Sequence, residues 1–109
     1  MNIIGIAACT AGVAHTYVAK EKLINAAEDA GHSIHIETQG SIGKDNEIPE
    51  ELIKQADIVI IAADIKVSGK ERFEGIKTVE VPTDVVIKSP HKFIKKIEQI
   101  VSEGGDEGE

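Results

Sequence analysis

Two stretches of this chain leave no polar face. Residues Asn2 to Ala8 read Asn-Ile-Ile-Gly-Ile-Ala-Ala, and residues Asp57 to Asp64 read Asp-Ile-Val-Ile-Ile-Ala-Ala-Asp. An exposed strand alternates apolar and polar residues, whereas a continuous apolar run of this length suits a strand covered on both sides. Parallel strands of that kind need crossover connections, usually helical. The intervening residues supply them. From Val13 to Ala30, Thr16, Ala19, Leu23, Ala26 and Ala30 recur at helical spacing, with Lys20, Glu21, Lys22, Glu28 and Asp29 on the other side.

The remaining elements follow the same alternation. Gly31 closes the first helix as a left-handed residue. Ser33 to Thr38 reads as an edge or near-edge strand, Gln39 to Asn46 as a loop, and Pro49 to about Ala56 as a short helix. A short helix is expected over Ser68 to Phe73 and a fourth strand over Thr78 to Val81. Ser89 and Pro90 open a last helix with Phe93, Ile94, Ile97, Ile100 and Val101 as its buried stripe. The expected architecture is a three-layer α/β fold. It has a four-stranded parallel sheet, strand order 2-1-3-4, and helices on both faces. Residues 1–102 form one domain, and 103–109 form a flexible acidic tail or linker stub.

Composition narrows the function. Aromatics make up 3% of the 109 residues and the formal charge is −7, which gives no platform for stacking bases and opposes a phosphate backbone. Nucleic acid is excluded as a partner on these grounds. Glu103, Asp106, Glu107 and Glu109 concentrate part of that charge in the tail. One cysteine makes no internal disulfide, and the N-terminus lacks a signal-peptide pattern, so cytoplasmic residence is expected. The longest apolar stretch, Ile58 to Ala63, is far short of the roughly 20 residues that span a bilayer. Direct membrane insertion is not expected.

That single cysteine, Cys9, stands between the first strand and the start of the first helix. In a parallel sheet, ligands bind beyond the carboxyl ends of strands where strand order reverses. Pairing of the first strand with the second on one side and the third on the other places Cys9 there, with Gln39 and Asp64 flanking it. The segment Thr10, Ala11, Gly12, Val13, Ala14, His15, Thr16 is small and polar enough to wrap a compact anion. Its backbone N–H groups and the hydroxyls of Thr10 and Thr16 would receive three phosphoryl oxygens. Helix N-termini lower cysteine pKa values from ~8.5 into the range ~3.5–7.5, so a nucleophilic thiolate is the expectation.

Simpler readings stand beside this one. A lone cysteine is often a small buried hydrophobe. Cys9 and His15 lack a second clustered pair at structural-zinc spacing, so neither a metal nor any other cofactor is expected. His32, His35 and Glu37 read as solvated, Lys70, Glu71 and Arg72 as a solvated helical face, Tyr17 as a packing residue, and Asp57 and Asp64 as strand-boundary residues.

The motifs together resemble a known family. Ala8-Cys9 running into Gly12-Val13-Ala14-His15-Thr16-Tyr17, then Glu37-Thr38-Gln39-Gly40-Ser41, Ala56-Asp57, Ala62-Ala63-Asp64 and Arg72-Phe73 before Gly75, is similar to the fructose-family enzyme IIB domain of the bacterial phosphoenolpyruvate-dependent sugar phosphotransferase system. The likeness runs from about Asn2 to the last helix. It departs from the family pattern at Thr10 and Ala11, where Pro and Thr are usual. The resemblance implies that Cys9 carries a phosphoryl group from a phosphohistidine on enzyme IIA to a fructose-like sugar held by membrane-embedded enzyme IIC, at the inner face of the membrane. It implies a phosphohistidine–sugar phosphotransferase with no efficient water-activating base beside Cys9. Two alternatives remain at this point. A low-molecular-weight tyrosine phosphatase would place arginine six residues after the cysteine, where this chain has His15, which lacks the bidentate fork. A regulatory domain of the same fold would have lost transfer.

Overall fold

In a computed structural model that describes residues 1–9, 13–40 and 43–104, the first apolar run forms β1 (Asn2–Ala8) at the centre of the sheet. The chain continues through α1 (Val13–Asp29), β2 (Ser33–Gly40), β3 (Gly43–Asp45), α2 (Glu50–Gln55) and β4 (Ile58–Ala63). It ends with a 3-10 turn (Lys70–Phe73), β5 (Thr78–Val81), α3 (Thr83–Lys88) and α4 (Pro90–Gly104). The sheet has the order β3-β2-β1-β4-β5.

Four of these strands, β2, β1, β4 and β5, are parallel neighbours in the order expected from the sequence. The fifth corrects the expectation of a four-stranded, wholly parallel sheet. Residues 39–46, expected to be a loop, extend β2 to Gly40 and return as the three-residue antiparallel strand β3. Gly40 and Gly43 make the segment read as a loop, and Gly43, at φ +108°, adopts without strain a conformation that L side chains rarely take. α3 is a second element the sequence pattern did not disclose, six residues being too short to establish a helical period. The short element before Gly75 is a 3-10 turn over Lys70–Phe73 rather than a helix from Ser68. α4 runs two residues past the expected domain end at 102.

Residues alternate across the sheet and build two unequal cores. Ile3, Ala7, Ile58, Ile60 and Ala62 join Leu23, Ala26, Val86, Phe93, Ile94 and Ile97 beneath α1, α3 and α4. Ile4, Ile6, Ala8, Val59 and Ile61 face the other way, toward Ile48, Val67 and Phe73, with Leu52 and Ile53 of α2 packed against them. So the expected helices do lie on both faces, with α2 the α-helix packed on the second. The α1 stripe is buried at Thr16, Ala19, Leu23 and Ala26, but Ala30 is exposed. Gly31, at φ +86°, ends α1 as expected, with the His32 and Gly31 N–H groups donating to the Ala27 and Glu28 carbonyls.

The thinner face is held by a polar clamp. Glu37, expected to be solvated, is 0% exposed. Its two oxygens receive a bidentate pair from Arg72 at 2.8 Å each, a bond from Gln39 Nε2 at 2.8 Å and one from the Ile48 N–H at 3.2 Å. Burial pushes the Glu37 carboxyl up, but the bonds from Arg72, Gln39 and Ile48 together outweigh it and hold it below the usual range. Arg72 is correspondingly raised by its bonds to Glu37 and is not the free helical face expected. It also donates to the Gly69 carbonyl and stacks over Phe73. No helix among the described residues is long and apolar enough to cross a membrane.

Replacing Arg72 with Met should cost about 2–3 kcal/mol at pH 7. That is below the ~3–5 kcal/mol of a fully buried broken pair, because the Arg72 side chain keeps 23% exposure. Glu37 has a depressed folded pKa, so its stabilisation is present above its unfolded value of ~4.3 and is lost as pH falls through the folded value. Urea unfolding should therefore show the Arg72→Met deficit shrinking between pH 7 and pH 3. A deficit that stays constant with pH would contradict the clamp.

Candidate functional site

β1 is where the sheet reverses direction, since β2 lies along one edge and β4 along the other. Its last residue, Ala8, is level with Gln39 on β2 and Ala63 on β4. One residue further, the Asp64 N–H donates to the Ala8 carbonyl at 3.0 Å. This bond fixes Asp64 beside Cys9, across 55 residues of sequence.

Cys9 is buried at 7% exposure, and among the described residues its sulfur meets the side chains of His15 and Asp64. His15 Nδ1 lies 2.8 Å from Sγ, and Asp64 Oδ2 lies 3.2 Å from it. His15 comes from the first turn of α1, so the helix that follows β1 returns a side chain to the end of the strand that precedes it. A thiol carries a single hydrogen. Donated to Asp64, that hydrogen leaves the imidazole to supply its own Nδ1–H to the sulfur; donated to His15, it makes Nδ1 the acceptor.

Asp64 is anchored from its other side. The Thr83 N–H donates to Oδ1 at 3.0 Å and the Thr83 hydroxyl to Oδ2 at 2.6 Å. Thr83 is fully buried and opens α3, so a carboxylate from the end of β4 meets the start of that helix. The Thr83 hydroxyl and then its N–H hold the Asp64 carboxyl below the ordinary range. Burial opposes them, while Cys9 and His15 add smaller downward effects that reinforce Thr83. Asp64 is therefore more than a strand-boundary residue. Asp57 is one, accepting from the Asn2 N–H at 2.7 Å.

Of the residues singled out in the sequence, the structure gathers Cys9, His15 and Asp64. Thr16 is buried in the first turn of α1 and Ala14 is exposed there, while Val13 begins the helix. Thr10, Ala11 and Gly12 lie outside the described residues, as do Ser41 and the tail from residue 105. Gln39 reaches the end of β2 as expected, but its amide is engaged elsewhere. It donates to Glu37 and to the Ser68 carbonyl at 2.9 Å, and it accepts from the Ser68 N–H at 2.9 Å. It ties β2 to the loop that follows β4. Tyr17, expected to pack, is 37% exposed with its hydroxyl donated to Asp45 at 2.7 Å.

The resemblance implies no efficient water-activating base beside Cys9, and the structure sets the His15 imidazole against the sulfur itself. His15 was visible in the sequence as a residue of the loop, but nothing in a linear pattern aims an imidazole at a sulfur six positions away. Thr83 was missed altogether. Its only signal is its place after Pro82 at the end of a strand, common to many loops.

The Thr83→Val variant keeps the side-chain shape and removes the 2.6 Å bond. It should destabilise the fold by about 1 kcal/mol at pH 7, less than the ~1.5–3 kcal/mol of a fully desolvated charged hydrogen bond because Asp64 is exposed to solvent. Asp64, depressed in the folded state, stabilises above its unfolded pKa of ~3.9 and ceases to do so as pH falls through its folded value. Thermal melts of the two proteins should converge in acid.

Comparison with known proteins places these residues in context. Residues 4–96 match the family model described as the lactose/cellobiose-specific IIB subunit of the PTS system. The fructose-like EIIB component 2 of the PTS system from Escherichia coli K12 is 44% identical over 97 residues, 89% of this chain and 92% of that protein. The fructose-specific EIIB'BC component of Vibrio cholerae is 46% identical over 87 residues, 80% of this chain and 15% of that much longer protein. Among solved structures, the enzyme IIB subunit of the PTS system from Escherichia coli K12 superposes with a TM-score of 0.87 at 33% identity, covering 96% of this chain and 97% of that one. A domain from the fructose-specific IIABC component of Borrelia burgdorferi gives 0.80 at 45% identity, covering 86% and 89%.

Proposed function

The chain belongs to the IIB family of the PTS sugar phosphotransferase system, and from that membership we propose that Cys9 is its phosphoryl carrier, loaded by a phosphohistidine of enzyme IIA and discharged to a fructose-like sugar bound by enzyme IIC. The observation that carries this reading is the contact of Cys9 Sγ with His15 Nδ1 at 2.8 Å, at the head of a helix and at the sheet's reversal point.

In the loading step, sulfur attacks phosphorus in line. The S–P bond forms, the histidine N–P bond breaks, and the thiol proton passes to the His15 imidazole. His15 Nδ1 touches the sulfur and can accept that proton, whereas the bonds from Thr83 hold the Asp64 carboxyl below its ordinary range and make it the poorer acceptor. In this reading the segment Thr10, Ala11, Gly12, Val13, Ala14, His15 and Thr16 receives the phosphoryl oxygens, since a helix N-terminus such as that of α1 favours negative charge. In the second step, a sugar hydroxyl attacks phosphorus, the O–P bond forms as the S–P bond breaks, the hydroxyl proton is released to solvent, and the departing Cys9 thiolate takes back the proton held by His15. The Asp64 carboxylate beside sulfur raises the free energy of phosphocysteine by like-charge repulsion, which favours onward transfer.

A base beside the thiol does not turn this site into a hydrolase. In-line hydrolysis needs water on the side of phosphorus opposite sulfur. A side chain in hydrogen-bond contact with Sγ stands on the leaving-group side. The phosphatase reading also wants arginine at position 15, where the chain has histidine. Relatives in which B and C components share one polypeptide support enzyme IIC as the acceptor's holder, and with it a place at the cytoplasmic face of the membrane. In this reading residues 1–102 do the work and 103–109 serve as tail or linker.

Incubation with phosphoenolpyruvate, the two general phosphotransferase proteins and candidate enzyme IIA proteins should add one phosphoryl group, read by intact mass and absent in Cys9→Ser. His15→Gln should slow loading about 10²-fold, the lower end of what proton transfer contributes. Rapid release of free phosphate, or no adduct with any enzyme IIA, would overturn the carrier reading.

A further inference from the structure

Cys9, His15 and Asp64 present one donor atom each, a thiol sulfur, an imidazole nitrogen and a carboxylate oxygen, all within 4.8 Å of one another. We propose that the unphosphorylated site is also a binding site for a thiophilic divalent cation of the Zn²⁺ class, held by Cys9 Sγ, His15 Nδ1 and Asp64 Oδ2.

The arrangement distinguishes such a site from a proton relay. In a relay the carboxylate holds the imidazole and the imidazole alone meets the nucleophile. Here His15 and Asp64 both aim at sulfur, at 2.8 Å and 3.2 Å. Converging donors of mixed type, three in number among the described residues, match the three protein ligands that zinc takes in sites that keep an exchangeable ligand. A tetrahedral ion with sulfur at ~2.3 Å and nitrogen or oxygen at ~2.0–2.2 Å spaces neighbouring donors about 3.4–3.6 Å apart. The donors need to separate from sulfur by about 0.2–0.8 Å. His15 Nδ1 and Asp64 Oδ2, within 4.8 Å of one another, need to close by up to about 1.2–1.4 Å, a shift that rotation of the His15 and Asp64 side chains supplies.

The surroundings fit as well. Metal-binding carboxylates are oriented by hydrogen bonds from behind, and Thr83 supplies two to Asp64. The Asp64 carboxyl is held in the charged form that ligation requires. Cys9 is buried while Asp64 is exposed, so the site has a dry floor and an open mouth. On binding, the thiol proton is released and a sulfur–metal bond replaces it.

The consequence rests on the phosphotransfer reading, whereas the binding itself does not. A phosphorylated sulfur has no thiolate to offer, and a metal-bound sulfur has no free pair aimed at phosphorus. The two occupants exclude one another, so the cation class would hold the unloaded carrier out of the relay.

Cobalt(II) titration of the full chain tests the site. One equivalent should produce sulfur-to-cobalt charge transfer in the near ultraviolet and tetrahedral ligand-field bands in the visible. Cys9→Ser should abolish the charge transfer, and Asp64→Asn and His15→Gln should each weaken binding about 10-fold or more. Circular dichroism should show all three variants folded, with His15→Gln, at a partly exposed first-turn position, as the variant least coupled to the core. Absence of charge transfer overturns the proposal. So does binding that survives Cys9→Ser, or an affinity unchanged by both His15→Gln and Asp64→Asn, which would mark adventitious histidines or a lone thiol. One equivalent of Zn²⁺ should also slow alkylation of Cys9 by iodoacetamide at least 10-fold, and an unaffected rate counts against the site. Phosphoryl acceptance without cobalt binding refutes the cation site alone, and cobalt binding without acceptance refutes the carrier reading alone.

Discussion

The hydrogen bonds that β1 makes along both of its edges decide where everything else in this molecule stands. A strand of Ile, Gly and Ala with no polar face must be covered above and below, and pairing on both sides leaves its backbone satisfied. The register of those pairings brings the ends of β2, β1 and β4 level, so the residues just beyond them meet. Gly5 shows how tight the centre is. A Cβ there would lie 2.3 Å from the Ile60 carbonyl oxygen and 3.1 Å from Ile36 Cδ1, so the closeness of the middle strands depends on a missing side chain.

Given that frame, the two faces are stabilised by different physics. Beneath α1, α3 and α4 the core cluster is built from hydrocarbon side chains and gains from water exclusion, with each fully buried Leu, Ile or Phe worth about 1.5–3 kcal/mol. The opposite face has less helix to cover it and sets Glu37 and Arg72 within its border. Those charges gain little beyond offsetting their own desolvation. What they add is position. Glu37 gathers Arg72, Gln39 and the Ile48 backbone, and Gln39 in turn grips the Ser68 backbone, so the loop between Asp64 and the 3-10 turn is held at several points. The candidate site sits above this clamp.

The order of the parallel strands could be read from the chain because continuous apolar runs and helical periods are local signals. Cys9 was found for the same reason, as a thiol at a strand-to-helix junction. β3 and α3 escaped because three and six residues are too few to show a period, and their form comes from partners. β3 exists because β2 offers an edge, and α3 because Asp64 meets its first N–H and hydroxyl. Glu37 was misjudged as solvated since its neighbours alternate as they do on an open surface. Its burial is made tolerable by Arg72, 35 residues away. Long-range compensation of charge leaves no periodic trace.

β3 is three residues long, exposed throughout, and carries Lys44 and Asp45 on its open side of the sheet. An open parallel sheet would otherwise end at β2, whose unpaired backbone could recruit a strand from another molecule. A short, charged border offers too little ladder for that. The matter is practical in relatives that carry such a unit within a far longer polypeptide. Tethering raises the local concentration of sister domains to about the millimolar range, where a bare sheet border would find a partner easily. The brief reversal after Gly40 thus acts as a selvedge, letting units of this kind share a chain without knitting their sheets together.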